Sequence, residues 1–298
     1  MAAHGNAAIT RQALDHLFSS AKGNYELILV DDASPDDTIG AFLNARRFKK
    51  RLKIFRFPTN LEYCESVNAI LSHASGEFIF FVSNDVFVTP AYLGELVSCL
   101  RDNPAFGIAR GCSNFVDGNL QPHNLIDSKS RFESKVELFK FAEALQRANV
   151  GTLPLDDPYL TGDSFAVHRR VLDEIGGIDI RFIGYFGDVD FAIRSRAAGF
   201  RNVITTRAFA YHNVESNLNY LSSEERARKI ERRFQRVNAA YLQFLAKYAL
   251  GEGSAEGGIG PLDRQLFLQA IALATEKAKR DSPLIASPRK DYSQYLVG

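Results

Sequence analysis

At 298 residues, with 46% hydrophobic content and 23 phenylalanines, the chain can form one large domain, or one domain with an appendage, around a sizeable core. Thirty-six Lys and Arg against 35 Asp and Glu leave a formal charge of +1, which argues against a dedicated nucleic-acid binder. Three cysteines, Cys64, Cys99 and Cys112, lack C-x-x-C spacing and suggest neither a disulfide framework nor a zinc site, so a reduced, cytoplasmic setting is the expectation.

The N-terminus, MAAHGNAAIT, lacks the charged-then-apolar pattern of a signal peptide. Helical spacing of Ala, Leu and Phe over 7–20, 37–50 and 64–74 alternates with three runs of strand length, Tyr25–Val30, Leu52–Phe57 and Glu77–Val82. Strands separated by helices imply βαβ crossovers, and hence an α/β fold with a mixed, mostly parallel sheet covered by helices on both faces. A helix then follows Pro90 to about Leu100, and Phe106–Arg110 returns as a strand. From 113 to 130 the chain turns polar and the alternation fails. A helix over 131–148, a short strand Ser164–Val167, a helix opening near Asp188 and strand character over Val203–Tyr211 complete the pattern. Ser222–Ala249 is a long charged helix, "GEGSAEGGIG" (251–260) a flexible break, and 261–280 a last helix. The expected division is an α/β domain over 1–215 and a helical appendage with tail over 216–298. No apolar stretch approaches the roughly 18–20 residues that span a bilayer. Two basic runs, "RRFKKRLK" (46–53) and "RARKIERRFQR" (226–236), read either as solvated helix faces or as a lipid or phosphate surface. Peripheral contact with the inner face of a membrane, or a homo-oligomer through the C-terminal helices, is therefore kept open.

Ligands of open α/β sheets bind beyond the carboxyl ends of the strands, so each strand exit is informative. YELILV exits into Asp31-Asp32-Ala33-Ser34-Pro35-Asp36-Asp37, and EFIFFV into Ser83-Asn84-Asp85. Neither a P-loop nor G-x-G-x-x-G is present to cradle phosphates, which leaves a metal bridging carboxylate and diphosphate as the substitute. Ser34-Pro35-Asp36-Asp37 is good helix-capping chemistry, which accounts for that stretch but not for Asp31 and Asp32. In "FIGYFGDVDFAIRSRAAGF", Asp190 and Arg194 have the i,i+4 spacing of a pair on a helix surface. Asp188, at the loop-to-helix junction, is better placed to reach into a cleft as a general base. Asp156, Asp157 and Asp163 in "LPLDDPYLTGDS" are further carboxylates that could compete for that role. His212 closes an apolar strand.

Four segments in order, "YELILVDDASPDDT", "NLEYCESVNAILSHASGEFIFFVSNDVFVTP", "TGDSFAVHRRVLDEIGGID" and "GYFGDVDFAIRSRAAGF…AYH", resemble family-two glycosyltransferases of the GT-A fold, from about His4 to His212. The resemblance implies inverting transfer of a sugar from a nucleotide-sugar donor to an acceptor hydroxyl, with Mn²⁺ or Mg²⁺. It implies that Asp31 and Asp32 match the acidic pair that recognises the nucleotide, and it puts His4 and Asn84 with the donor-binding set. Asp85 matches the last acid of the D-x-D element that holds the metal, His212 a histidine that completes the metal site, and Asp188 the catalytic base. Asn60 and Asn68 match asparagines whose roles are as much structural as binding. The chain departs from the pattern at four places. Ser83 replaces the first acid of D-x-D, Gly187 stands where Glu often precedes the catalytic Asp, and Glu62 replaces a common Gly. The usual first strand is expected to be missing. Two alternatives remain: a sugar-phosphate nucleotidyltransferase, and a catalytically silent binding or assembly protein of GT-A shape.

Overall fold

The computed structural model describes residues 1–48, 51–115, 132–213, 222–251, 264–281, 286–287 and 290–298. Most of the polar stretch 113–130 and nearly all of the glycine-rich break lie outside the described residues, as do Lys49 and Lys50 of the first basic run.

The first half is a run of strands and helices: β1 (Ala2–Ala3), α1 (Ala7–Ser20), β2 (Leu27–Asp31), α2 (Thr38–Asn44), β3 (Leu52–Arg56), α3 (Glu62–His73) and β4 (Phe78–Val82). Strands β1, β2 and β3 pair in parallel in that order, with Ala2 beside Val30 and Leu27 beside Leu52. The first strand, expected to be missing, is therefore present as two residues. The helix expected over 37–50 stops at Asn44 and tightens into one 3-10 turn through Arg47.

The second half continues as β5 (Val86–Val88), α4 (Tyr92–Asp102), β6 (Phe106–Ser113), α5 (Lys135–Ala148), β7 (Leu155–Asp156), β8 (Ser164–His168), α6 (Arg169–Ile175), α7 (Gly187–Ala197), β9 (Arg201–His212), α8 (Ser223–Lys247) and α9 (Arg264–Arg280). Its sheet has the order β4-β8-β6-β9-β5, with β7 also on β9. Among the described strands of this sheet, parallel pairing recurs only between β6 and β9. The ladders β4/β8, β6/β8, β5/β9 and β7/β9 are antiparallel, so the parallel character expected from the alternation belongs to the first three strands. The strand–helix alternation breaks after β6, and without a helical crossover between partners nothing enforces the parallel direction. Among the described residues, one parallel bridge, Ala2 to Ser83, joins the two sheets. Below it, β2 and β4 part around a cavity of about 640 Å³ lined by Met1, Leu27, Ile28, Phe78 and Phe80 among others.

Alternation along each strand sends successive residues to opposite faces. Leu29, Ile54, Val82 and Ala166 join one buried cluster, with Leu14, Phe42, Tyr92 and Leu96 from α1, α2 and α4. Their neighbours Ile28, Phe55, Phe81 and Val167 join the other, with Val67, Leu172 and Phe191 from α3, α6 and α7. Tyr241, Phe244 and Phe267 of α8 and α9 belong to this second cluster, where Phe186 packs against all three rings at 5.6–6.0 Å. Helix α8 begins with a reciprocal cap, in which the Ser222 side chain accepts from the Glu225 N–H and the Glu225 carboxylate accepts from the Ser222 N–H.

Candidate active site

Antiparallel pairing of β5 with β9 aligns Val86 with His212. It therefore brings Asp85, one residue before β5, beside the end of β9, and the Asn213 N–H donates to the Asp85 carbonyl at 2.8 Å. The two side chains expected to hold a metal meet here: His212 Nε2 lies 3.5 Å from Asp85 Oδ2. A third group joins them that the motif comparison passed over. Asp163, just before β8, places Oδ2 3.6 Å from His212 Nδ1 and Oδ1 3.1 Å from Nη1 of Arg110, a guanidinium buried in β6. Among the described residues, no three His, Cys, Asp or Glu side chains converge on one point as a ready-made metal cage. The donor chemistry, imidazole and carboxylate, nevertheless suits a divalent cation. Asp163 Oδ1 is already compensated by Arg110, while Oδ2 is buried and has no hydrogen-bond partner among the described residues.

Asp188 faces the same space from the first turn of α7. Its Oδ2 accepts the Gly162 N–H at 2.7 Å and its Oδ1 the Val189 N–H at 2.9 Å, so the carboxylate is aimed by backbone on both sides. The helix starts sharply because Phe186, at φ 66°, takes the left-handed conformation ahead of it. Gly162 is squeezed between Asp188 and Tyr63, whose O–H donates to the Gly162 carbonyl at 3.0 Å. A Cβ on Gly162 would sit 1.9 Å from the Tyr63 oxygen, so only glycine fits. Burial, together with the neighbouring Asp188 and Asp163 carboxylates, pushes the Tyr63 phenol well above its ordinary range and keeps it a donor.

Asp85, Asp163, Asp188 and His212 all line one cavity of about 530 Å³. Its walls include Tyr159, Tyr185 and Phe186, and it is roofed by Ile230, Arg233 and Phe234 of α8 and Phe267 of α9. The larger cavity between β2 and β4 has no such convergence of acids, so volume is a poor guide here and chemistry the better one. Asp156, by contrast, is spent on the surface, 3.0 Å from Arg196.

The remaining expected residues are not part of this cavity's lining and are already bonded. Asp31 is fully buried, with Oδ1 accepting from the Ser34 N–H and Oδ2 3.3 Å from Arg56. Asp32 Oδ1 accepts the Leu61 N–H at 2.6 Å at the start of α3, and burial raises its carboxyl against that stabilisation. His4 Nδ1 lies 2.6 Å from the Asp32 carbonyl oxygen. The Asn84 amide donates to the Gly5 carbonyl and the Thr10 hydroxyl. None of Asp31, Asp32, His4 or Asn84 lines the 530 Å³ cavity. The Ser34 hydroxyl, read as a cap of α2, instead accepts from the Gly5 N–H, and Asp36 bonds both Ala7 N–H and Thr38. That chemistry ties α1 to the β2 exit.

Two departures from the family pattern have local causes. A side chain at position 187 has no room, because a Cβ there would lie 2.4 Å from Cys64 Sγ. Glu62 keeps the φ of 71° that glycine favours and spends its carboxylate on Arg236 of α8 at 2.8 Å. Asp190 requires a correction. Its pair with Arg194 is not on the helix surface, because both side chains are fully buried, with Nε to Oδ2 at 2.7 Å. The other carboxylate oxygen accepts from Lys247 and Tyr248 at the end of α8.

An α/β sheet with acids at its strand ends and a carboxylate opening a helix is the architecture of the GT-A fold. Solved structures with this fold include a mannosyltransferase, PcManGT from Pyrobaculum calidifontis, in complex with GDP-Man and Mn2+ (TM-score 0.57, 16% identity, 95% of this chain and 73% of that one). Another is TarS of S. aureus in complex with UDP-GlcNAc (TM-score 0.51, 14% identity, 96% and 82%). The chain belongs to glycosyl transferase family 2, whose family model matches residues 1–176. It is similar to the uncharacterized protein y4gI of Sinorhizobium fredii, 26% identical over 215 residues, and to the O-antigen biosynthesis protein RfbC of Myxococcus xanthus, 27% identical over 214. Each match covers 70% of this chain, which spans only 23% and 16% of those two proteins. A putative glycosyltransferase of Bacillus subtilis, EpsE, is 34% identical over 91 residues, 30% of this chain and 33% of that protein. Among the described residues, no helix is long and apolar enough to cross a membrane.

Proposed function

We propose that the protein moves a sugar from a nucleoside diphosphate sugar to an acceptor hydroxyl by a single displacement with inversion at the anomeric carbon, with Asp188 as base and Asp85 and His212 holding Mn²⁺ or Mg²⁺. The observation that carries this reading is the shared cavity. A carboxylate aimed by two backbone N–H groups and an Asp–His pair face the same 530 Å³ space. Bound metal would supply charge neutralisation on the departing diphosphate.

The chain's own groups do the rest. Asp188 takes the proton of the acceptor hydroxyl, and its fixed backbone donors hold it on the line of attack. The roof from α8 and α9, where Ile230, Phe234 and Phe267 flank Arg233, limits the access of bulk water that would compete with the acceptor. The β2 exit, with Asp31, Asp32 and His4, forms the nucleotide side together with Asn84. Since those polar groups already bond neighbouring residues, their part is to fix the loop that meets the base. The donors held by PcManGT and TarS motivate GDP- and UDP-sugars as first candidates.

The test is a screen of UDP-, GDP- and dTDP-sugars with Mn²⁺ for release of nucleoside diphosphate, run on wild type and Asp188→Asn. Wild type should turn over one donor, and the variant should bind that nucleotide as well while losing about 10²–10⁴-fold in rate. Undiminished turnover by Asp188→Asn would remove Asp188 as base. Release of pyrophosphate would point to nucleotidyl transfer instead, and binding without any cleavage to a silent member of the fold.

A further inference from the structure

We propose that the outer rim of the 530 Å³ cavity, built from the first turns of α8 and the loop before α7, docks on an anionic lipid surface. The docking stands independently of the transfer reading; to that reading it adds that the acceptor is borne by a lipid.

Helix α8 changes character along its length. Towards its end it is anchored, with Ala240, Tyr241, Phe244 and Leu245 buried. Over 223–236, roughly four turns, every residue is exposed. That half is held as a helix by its reciprocal cap and by i,i+4 contacts, Arg228 with Glu224 and Gln235 with Glu231. At about 100° per residue its side chains sort into stripes. Ile230, Phe234 and Val237 carry the buried line of Tyr241 out past the body of the protein. Beside them run Arg226, Lys229, Arg233 and Arg236, spaced 3-4-3, while Glu224 and Glu231 fall on the opposite flank.

Ile230 is 54% and Phe234 41% exposed, although both line the cavity. The loop before α7 brings a third apolar side chain to this rim. Ile183, 63% exposed, directly precedes Gly184 and Tyr185, which also line the cavity. Arg236 ties that loop to α8, since its guanidinium lies over the Tyr185 ring at 5.7 Å and pairs with Glu62 at 2.8 Å.

Single exposed apolar residues need no explanation, but three on one rim mark an interaction surface. The charge beside them selects what covers it. A basic stripe next to an apolar one is the pattern of helices that lie in a membrane interface. Lys and Arg there meet anionic headgroups while Ile and Phe enter the acyl boundary. A nucleic acid would engage the basic stripe and leave the apolar one in water. In the docked pose the cavity that holds Asp188 opens toward the lipid, so a headgroup hydroxyl reaches the carboxylate from the membrane side.

The test is co-sedimentation with vesicles of POPC alone and of POPC with POPG at about 3:1. Wild type should pellet with the anionic vesicles in about 50 mM NaCl and be released by about 500 mM. Arg226→Gln with Lys229→Gln should weaken binding about 20–30-fold, at about fivefold per basic residue. Ile230→Ser with Phe234→Ser should weaken it by about tenfold or more. Ile183→Ser, which leaves α8 untouched, should also weaken it, and circular dichroism checks that each variant is folded. Failure of wild type to pellet with anionic vesicles, or binding that survives both double substitutions, would overturn the docking. Binding to an RNA oligonucleotide in place of vesicles would overturn it too, as would a dimer that Ile230→Ser with Phe234→Ser dissolves. Turnover of a nucleotide sugar without vesicle binding keeps the transfer reading and removes the docking. Vesicle binding without turnover keeps the docking and removes only its link to an acceptor.

Discussion

Replacing Asp190 by Asn should be among the most damaging single changes outside the cavity. The side chain is fully buried, and its carboxylate accepts from Arg194 Nε at 2.7 Å, from Tyr248 at 2.8 Å and from Lys247. Asparagine keeps the shape and removes the charge. Arg194, itself fully buried, would then keep the carbonyls of Ile175 and Gly177, at 2.9 and 2.7 Å, but lose its carboxylate, while Lys247 would retain Asp179 at 2.8 Å. Removing one partner of a buried ion pair costs about 3–5 kcal/mol, because a charge is left desolvated without its counter-ion. The surviving carbonyls and Asp179 place this case near the lower end, at about 3 kcal/mol. For a chain of 298 residues that lowers Tm by about 5 °C. Urea unfolding with calorimetry measures both quantities. Lys247→Met, which leaves Asp190 with Arg194 and Tyr248, should cost less than Asp190→Asn. A loss below about 1 kcal/mol in Asp190→Asn would refute the reasoning, since the network would then act by shape alone.

Burial lowers the imidazole pKa of His16, His73 and His168 from the ordinary 6.5. The unfolded chain therefore takes up protons that the folded chain resists, so stability is full above about pH 6.5 and declines as pH falls below it. Unfolding free energies between pH 7.5 and 5.5 should show that decline, with a shallower slope in His16→Phe, and a flat profile would contradict it. Gly187→Ala should cost about 1–3 kcal/mol, because its Cβ meets Cys64 Sγ at 2.4 Å and Ile178 Cγ2 at 2.8 Å. Adding Cys64→Ala should recover most of that loss, and no recovery would locate the strain elsewhere. Glu62→Gly relieves a positive φ worth about 1–2 kcal/mol and gives up a half-exposed pair with Arg236 worth at most about 1 kcal/mol. A neutral or slightly raised urea midpoint is expected, and a clear drop would show that the pair outweighs the strain.

Much of the fold was legible because it rests on local signals. The apolar runs at β2, β3 and β4 and the helical periods between them follow from alternation and spacing, and the acids at the strand exits stand out against those runs. Residues brought together by pairing register were harder. Nothing local in "SNDVFV" says that Val86 will face His212 rather than another residue of β9, because register is decided by long-range packing. Asp163 was visible only as one acid among several in a polar segment. Its distinction, a buried partner in β6 fifty-three residues earlier (163 − 110), has no sequence signature. The Asp190–Arg194 spacing correctly gave the pair. Spacing of i,i+4 says that two side chains share a face, not which face is covered, and α8 supplied the cover.

The knot around Asp190 also has a temporal side. Its partners Lys247 and Tyr248 lie 57 and 58 residues further along the chain. At a synthesis rate of roughly 5–20 residues per second, those partners emerge about 3–11 s after Asp190 itself. During that interval α7 can form, but its central acid lacks Lys247 and Tyr248, and Phe186 lacks the rings of Tyr241, Phe244 and Phe267. The helix that aims Asp188 therefore reaches its final seat only when the end of α8 arrives. On a ribosome, the half of this molecule that carries Asp85, Asp163 and Asp188 is made before the segment that covers α7.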